Sequence, residues 1–412
     1  MASFASACAT PGVIDRARGQ LRGGDANAAL ETLADADVPS RDRLLLLLDR
    51  GLVAHAAGRH RDSIAAFAEA DDLIERLDIV SLREQGVALV VNDRARSYRG
   101  ESGERLWIRT FQMLNYLSLG EPEGAAVEAR RALVVLDEHP ETLAADAVTR
   151  LLVAMCFEAA GQPESAAVEY RKLAAATSTG APPGVLRAAW LNARRTARPD
   201  EADALAKRLP ETVLAEARRE LEARDGELVL VLAAGFVPPK RAGDLFVSAD
   251  LRIAFPYYPV GFDGRVPALA VRVDGEPRTS SVVTTRLIDV ARAALEERGA
   301  RIAARQTARV VAKYNIAHSV SRQDELAGEL VRLLLFVLEQ ADTRGWETLP
   351  ATLSLAQVPL PEGEHDVDVT VSTGTGTWRA RLDDVAVRAG RRTFVSLRPD
   401  VAGELRYAAR PD

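Results

Sequence analysis

Cysteine is scarce: Cys8 and Cys156 are the only two in 412 residues, and two isolated thiols make neither a disulfide framework nor a zinc site. Basic charge is not in excess either. With 53 Lys+Arg against 59 Asp+Glu the net charge is -6, which speaks against a duplex-DNA binder, whose phosphate contacts need a basic surplus. Aromatics make up 5%, so the core must be built mainly from Ala, Leu and Val, as in helical arrays. No apolar run reaches the roughly 18 residues that cross a bilayer. There is no glycine-rich loop followed by Lys-Ser or Lys-Thr, no Gly-x-Ser-x-Gly elbow, and no Cys/His pair in a nucleophile context. The five histidines, His55, His60, His139, His318 and His365, show no metal-ligand spacing. No metal, cofactor or nucleic acid is therefore expected. What remains is 47% hydrophobic and 27% charged, the proportions of a globular chain, long enough for two or three domains at roughly 150 residues each.

An internal repeat is present over residues 12–225. Gly24, Gly58, Gly120 and Gly161 sit in similar surroundings. Seven residues before them stand Ala17, Gly51, Met113 and Ala154; five after come Ala29, Ser63, Ala125 and Ala166; nine after come Leu33, Phe67, Ala129 and Tyr170. This spacing predicts a helix ending at a left-handed glycine and a second helix folding back with small residues at the close approach. It is the tetratricopeptide (TPR) pattern of helical hairpins, with the Gly24–Gly58 interval at the TPR period and insertions separating later units. Pro122, Pro140 and Pro163 fall in turns or first turns, where a missing donor is harmless. The stretch after Gly180 restarts helical patterns, either a degenerate fifth unit or a capping helix. A stacked array of this kind leaves a concave face that binds extended peptides or partner helices.

Residues 226–412 change character. Leu228–Leu232, Leu251–Phe255 and Ala268–Val273 read as strands. Helical periods follow from Thr285 to about Asp342, and strands return over Leu353–Val358, His365–Ser372, Thr377–Leu382, Val385–Arg388 and Thr393–Leu397. The expected fold is α+β: an N-terminal TPR-like solenoid (12–225), then a mixed β/α domain (226–412), with strands about 228–273 and 351–397 and helices about 285–342. The strands suggest a small antiparallel sandwich with helices on one side.

Three polar clusters invite a functional reading. Asn92, Asp93, Tyr98, Glu101, Glu104 and Arg105 crowd the insertion before the third hairpin. Glu101 and Glu104 could form an acid/base pair, but acids there also stabilise a helix start, and capping is the expectation. Arg301, Arg305, Arg309 and Lys313 recur every four residues along one helix face, either a phosphate, headgroup or glycan site or a solvated face paired with Glu296 and Glu297; the solvated face is expected. Asp342, Arg344 and Trp346 mark a helix-to-strand corner, either a structural lock or a binding platform using Trp346.

Together with Leu114, Asn115, Tyr116 and Gly120, then Val127 to Arg130, these clusters resemble the signature stretches of an uncharacterised family of bacterial TPR-containing lipoproteins. The resemblance covers nearly the whole chain. It implies secretion, an N-terminal lipid anchor, and company with small lipoproteins related to penicillin-binding-protein activators; it implies no activity. The first eleven residues fit that implication as a signal or lipobox remnant, since small residues precede Cys8. No basic segment or apolar stretch lies before it, so either the reading frame extends upstream or Cys8 is an incidental thiol in a frayed terminus. Ala9 after the cysteine would favour the outer membrane. The expected function is a non-catalytic interaction scaffold on the periplasmic face of the outer membrane, tethered through Cys8 and holding a protein partner such as another envelope lipoprotein. The alternatives are a cytosolic TPR adaptor and an envelope enzyme acting on glycan or lipid.

Overall fold

The structure, a computed structural model, describes residues 9–83, 97–175, 181–248, 251–259, 266–278, 280–299, 341–373 and 376–407. Gly24, Gly58, Gly120 and Gly161 all take left-handed backbone conformations, with φ between +69° and +85°. Each closes a helical hairpin, because only a residue without Cβ adopts that turn without strain. The hairpins are α1 (Ala9–Arg22) with α2 (Ala26–Ala34), α3 (Arg43–Ala56) with α4 (His60–Arg83), α5 (Ser102–Ser118) with α6 (Pro122–Glu138), and α7 (Ala147–Ala159) with α8 (Pro163–Ala175). A fifth, α9 (Pro183–Arg195) with α10 (Pro199–Ala206), turns on a left-handed Ala197, and α11 (Glu211–Ala223) follows. The stretch after Gly180 thus holds both a fifth unit and a further helix.

Within each of the four glycine-turn hairpins, the residue seven before the turn and the residue nine after it are both buried, and their sizes are complementary. Ala17 goes with Leu33, Gly51 with Phe67, Met113 with Ala129, and Ala154 with Tyr170. Gly51 is the clearest case, since a Cβ there would overlap the Phe67 ring. Small and large exchange sides in the third hairpin, so the volume at the contact is kept while its owner changes.

Two sheets follow. The first has the order β11-β10-β1-β7-β6 and comprises β1 (Gly226–Ala234), β6 (Ser281–Arg286), β7 (Thr352–Leu360), β10 (Arg392–Pro399) and β11 (Leu405–Tyr407). The second, β5-β4-β8-β9, comprises β4 (Ala268–Val273), β5 (Glu276–Arg278), β8 (Gly363–Thr373) and β9 (Gly376–Val387). A separate hairpin pairs β2 (Arg241–Ser248) with β3 (Leu251–Tyr257). The sandwich is not purely antiparallel as the sequence suggested, because β1 and β10 run parallel; the long excursion between them supplies the required crossover. Helix was expected from Thr285, but Thr285 and Arg286 end β6, where they pair with Leu353 and Thr352, and helix begins at 287. β-branched Val282, Val283, Thr284 and Thr285 favour the extended form. The expected helices beyond residue 299 lie outside the described residues until 341. The two strands expected either side of Asp383 are one, β9, carried through a left-handed Asp384.

The apolar run Leu228–Leu232 is buried on both faces, which is why it shows no alternation in polarity. Leu228, Leu230 and Leu232 pack against Val367, Val369 and Val371 of the second sheet. Val229 and Val231, with Val283, Leu353 and Leu355, join the core of the helical array. The molecule is thus three layers: helices, five-stranded sheet, four-stranded sheet.

This layering overturns one expectation. The first helices of the second to fifth hairpins face the five-stranded sheet, with α3 and α5 on β10 and α7 and α9 on β6. The side of the array that was to grip another macromolecule is covered by the chain's own strands. The reason lies in the helices. α3 buries Leu44 to Asp49 and Gly51 to His55, and α9 buries every residue from Gly184 to Ala193. A helix apolar all round needs a neighbour on each side.

Candidate functional site

Two of the three sequence clusters meet at the start of α5. Glu101 caps the helix, and Glu104 returns the bond in a capping box, each satisfying an orphan amide. Glu104 does more: its second oxygen accepts from the backbone N–H of Trp346 at 2.8 Å, and the Tyr98 hydroxyl donates to its first. Glu101 accepts from Lys240 at 2.8 Å and from Arg298 at 2.6 Å. Arg344 binds Asp342 at 2.7 Å and Asp42 at 2.9 Å, and its guanidinium lies over Tyr98. Tyr98, Glu101, Glu104, Asp342 and Trp346 are all buried. The knot ties the helical array to the loop entering β7.

Burial alone would raise the Glu101 carboxyl, but the Lys240 ammonium and the Arg298 guanidinium more than offset it and hold it below the usual range. Lys240 is the mirror case, with burial pulling it down and Glu101 pushing it above its ordinary value. Both groups are therefore ionised and mutually satisfied. An acid/base pair needs one carboxyl near its working pKa and within reach of a substrate, and here both carboxylates are fully engaged inside the protein.

Asn115 and Tyr116 hold the hairpins together. Asn115 donates to Ser63, and its Oδ1 takes both His55 Nδ1 (2.7 Å) and His60 Nδ1 (3.0 Å). That assigns both imidazole protons to Nδ1, leaving His55 Nε2 to accept from the Ser396 hydroxyl at 3.2 Å. Ser396, His55 and Asn115 thus stand in the order of a nucleophile, a base and an orienting group. The chemistry does not follow. Asn115 brings no charge to stabilise an imidazolium, and burial, with His60 beside it, pushes His55 down to about 3. The ring stays neutral and serves as a hydrogen-bonding strut between α3 and β10. Tyr116 packs where Gly124 leaves room, since a Cβ at Gly124 would overlap its ring. Arg105 grips Asp78 of α4 through two bonds at 2.8 and 2.9 Å.

Cys8, Asn92, Asp93, Arg301, Arg305, Arg309 and Lys313 lie outside the described residues. Glu297, just before that stripe, accepts from Thr142 at 2.9 Å and meets His139 at 2.8 Å. Cys156 is fully buried, and burial pushes its thiol well up, so it is a small core hydrophobe.

Sequence reasoning missed Lys240 and Arg298, which complete the first knot, and the whole of a second one. There Arg187 donates to Glu227 at 2.8 Å and also binds Glu220, while Arg392 bonds Glu227 and Glu158 at 2.7 Å. Burial would raise Glu227, but Arg392 and then Arg187 bring it down to about 2. Only one signal for this knot existed in the chain: Arg187 interrupts the otherwise apolar helix that holds Trp190. No group of three or more His, Cys, Asp or Glu able to hold a metal occurs among the described residues.

No family model matches the sequence, and no curated protein matches it. Solved structures resemble about half of the chain. A MamA double mutant (RS-1 ArsTM) is 15% identical over 53% of this chain and 99% of that one, at a TM-score of 0.35. A second MamA mutant is 13% identical over 51% and 95%, at 0.32. A Rap protein complexed with Competence and Sporulation Factor is 13% identical over 52% and 56%, at 0.30. Likenesses this distant transfer nothing to this chain; the TPR-like character of its helical half stands on the hairpins themselves.

Proposed function

We propose that the chain is a non-catalytic protein–protein interaction scaffold of the bacterial cell envelope, tethered through a lipid on Cys8. One observation carries the scaffold reading. The groups that could do chemistry are taken up in bonds between layers, while the second helices turn large apolar side chains to solvent. Ile79 on α4, Val127 and Val134 on α6, and Val168 on α8 are 41–57% exposed, on helices that follow one another in the array. The docking surface is therefore assigned to the outer side, formed by the second helices. The tether is carried by the small residues before Cys8 and by the family resemblance.

Site-specific photo-crosslinkers at Val134 and Val168, in cells, test the scaffold. One discrete protein adduct at both positions is expected, and its absence sinks the reading. Intact-mass analysis of the protein from membranes, expressed with its upstream coding sequence, tests the tether: a lipid adds a discrete mass that Cys8→Ala removes. Protein recovered without added mass from the soluble fraction would favour a cytosolic adaptor. An enzyme using Glu101 and Glu104 is disfavoured by their engagement, and full complementation of a deletion by the Glu101→Gln, Glu104→Gln double variant would exclude it.

A further inference from the structure

The seam between the first helices and the five-stranded sheet is not closed along its whole length. Near the C-terminal end of β10 it opens into a cavity of about 560 Å³, within the range that holds small ligands. Leu52, Phe111 and Leu353 give it apolar walls, and His55, Ser396 and Arg398 give it polar ones. His55 is neutral and bonded to Ser396, so the pair adds hydrogen-bonding capacity without charge.

Arg398 is the anomaly. It is half-buried, and no carboxylate pairs with it among the described residues; its bonds are to the carbonyls of Thr348 at 3.2 Å and Gly235 at 3.5 Å. Its charged neighbours are Arg18 and Arg22, which share the Phe236 ring with it at 4.5–5.2 Å from the centroid. Burial and then these two like charges push Arg398 down to about 9. Arg18 has Glu347 at 3.4 Å, but that carboxylate does not reach Arg398. The acids that line the cavity are engaged, Asp25 by the Ala28 amide and Asp400 by Arg406 and the amides of Ala402 and Glu404. A guanidinium without its anion, beside an apolar hollow, matches a ligand with one negative charge and a hydrocarbon body.

We propose that this cavity binds a small aliphatic monocarboxylate, its carboxylate on Arg398 and its chain against Leu52, Phe111 and Leu353. This site is independent of the outer face assigned above to a protein partner. Calorimetric titration of the full chain with octanoate, 1-octanol and inorganic phosphate tests it. Octanoate is expected to bind one to one, octanol at least tenfold more weakly, and phosphate without detectable heat. Arg398→Gln should weaken octanoate at least tenfold with an unchanged circular dichroism spectrum. Should that variant misfold, Ala233→Phe, which fills the cavity from β1, should abolish binding instead. No octanoate binding at millimolar concentration overturns the proposal. So does equal binding of octanol, which would leave no role for charge, or of phosphate, which would leave none for the hydrocarbon walls. Undiminished octanoate binding by folded Arg398→Gln, or by Ala233→Phe where that variant replaces it, overturns it as well.

Discussion

The two helices of each hairpin lie side by side, yet they solve different problems. The first helices, α3, α5, α7 and α9, sit between their partners and a β-sheet, and are buried on nearly every side. The second helices are amphipathic. On α6, Ala125, Ala126, Ala129, Ala132 and Leu136 face inward while Val127 and Val134 face out. An open array binds its partner on the first-helix side. Here the chain carries that partner itself, as strands β1, β6, β7 and β10. An apolar helix in an array is thus a demand for a neighbour, and says nothing about whether the neighbour comes from another molecule.

If the contrast is real, damage on the inner side should be severe and damage on the outer side slight. The largest effect is expected from Arg187→Met. It leaves Glu220 and Glu227 buried without their shared cation, a change of the kind that destabilises by about 3–5 kcal/mol. Denaturant unfolding should show it, and Glu220→Gln in the same background should recover part of the loss, because Glu220 keeps only Arg195 at 3.6 Å whereas Glu227 keeps Arg392 at 2.7 Å. Next comes Gly51→Ala. A Cβ there overlaps the Phe67 ring, and forced overpacking costs about 1–3 kcal/mol. Phe67→Leu should partly rescue it, as the alternating small and large pairs of the other hairpins imply.

The inner seam should also carry the pH response. His55 is held neutral down to about 3, while in the unfolded chain it titrates near 6.5. Its contribution is fully present above pH 6.5 and is lost as pH falls from there toward 3. Asp49 runs the other way. Burial raises it to about 7 against the Thr348 bonds, so it destabilises progressively as pH rises from about 4 to 7. One of its oxygens, Oδ2, has no partner among the described residues. Asp49→Asn removes the charge, and its stability relative to wild type should grow across that interval by at least about 1 kcal/mol. Parallel unfolding curves at pH 4.5 and 8 check the sign; a constant difference would mean that Asp49 ionises normally.

Much of this was legible in the chain. The glycine turns, the complementary pairs and most strands could be read because each depends on local spacing: a left-handed turn, a helical period, an alternating or wholly apolar run. The parallel pairing of β1 with β10 could not, since 157 residues separate Ala234 from Arg392 and nothing local records which strand lies beside which. Of the polar clusters, Glu104 was identifiable as a helix-start acid, but its bond to the Trp346 amide joins residues 242 apart. Nothing near Lys240 or Arg187 in the chain names the acids they meet, since Glu101 lies 139 residues from Lys240 and Glu227 lies 40 from Arg187. Only the fold places their counterions beside them. The covered first-helix side was signalled by the all-apolar character of Leu44–Leu48, a pattern equally satisfied by a foreign partner.

The smallest expected effect is on the outer face, and it is the one that separates packing from function. Val134 stands 57% exposed and Val168 41%, so Val134→Ser and Val168→Ser remove little buried area, and each should change stability by no more than about 0.5 kcal/mol. If the outer face is the docking surface, the same double variant should lose the partner adduct formed by a photo-crosslinker at the neighbouring Val127, because apolar contacts near the centre of an interface carry most of its energy. Gly51→Ala studied in parallel should show the opposite pattern: lowered stability, with the adduct retained by the molecules that remain folded. A double variant as stable as wild type and equally cross-linked would place the partner elsewhere, and the division of labour between inner and outer helices would then be one of packing alone.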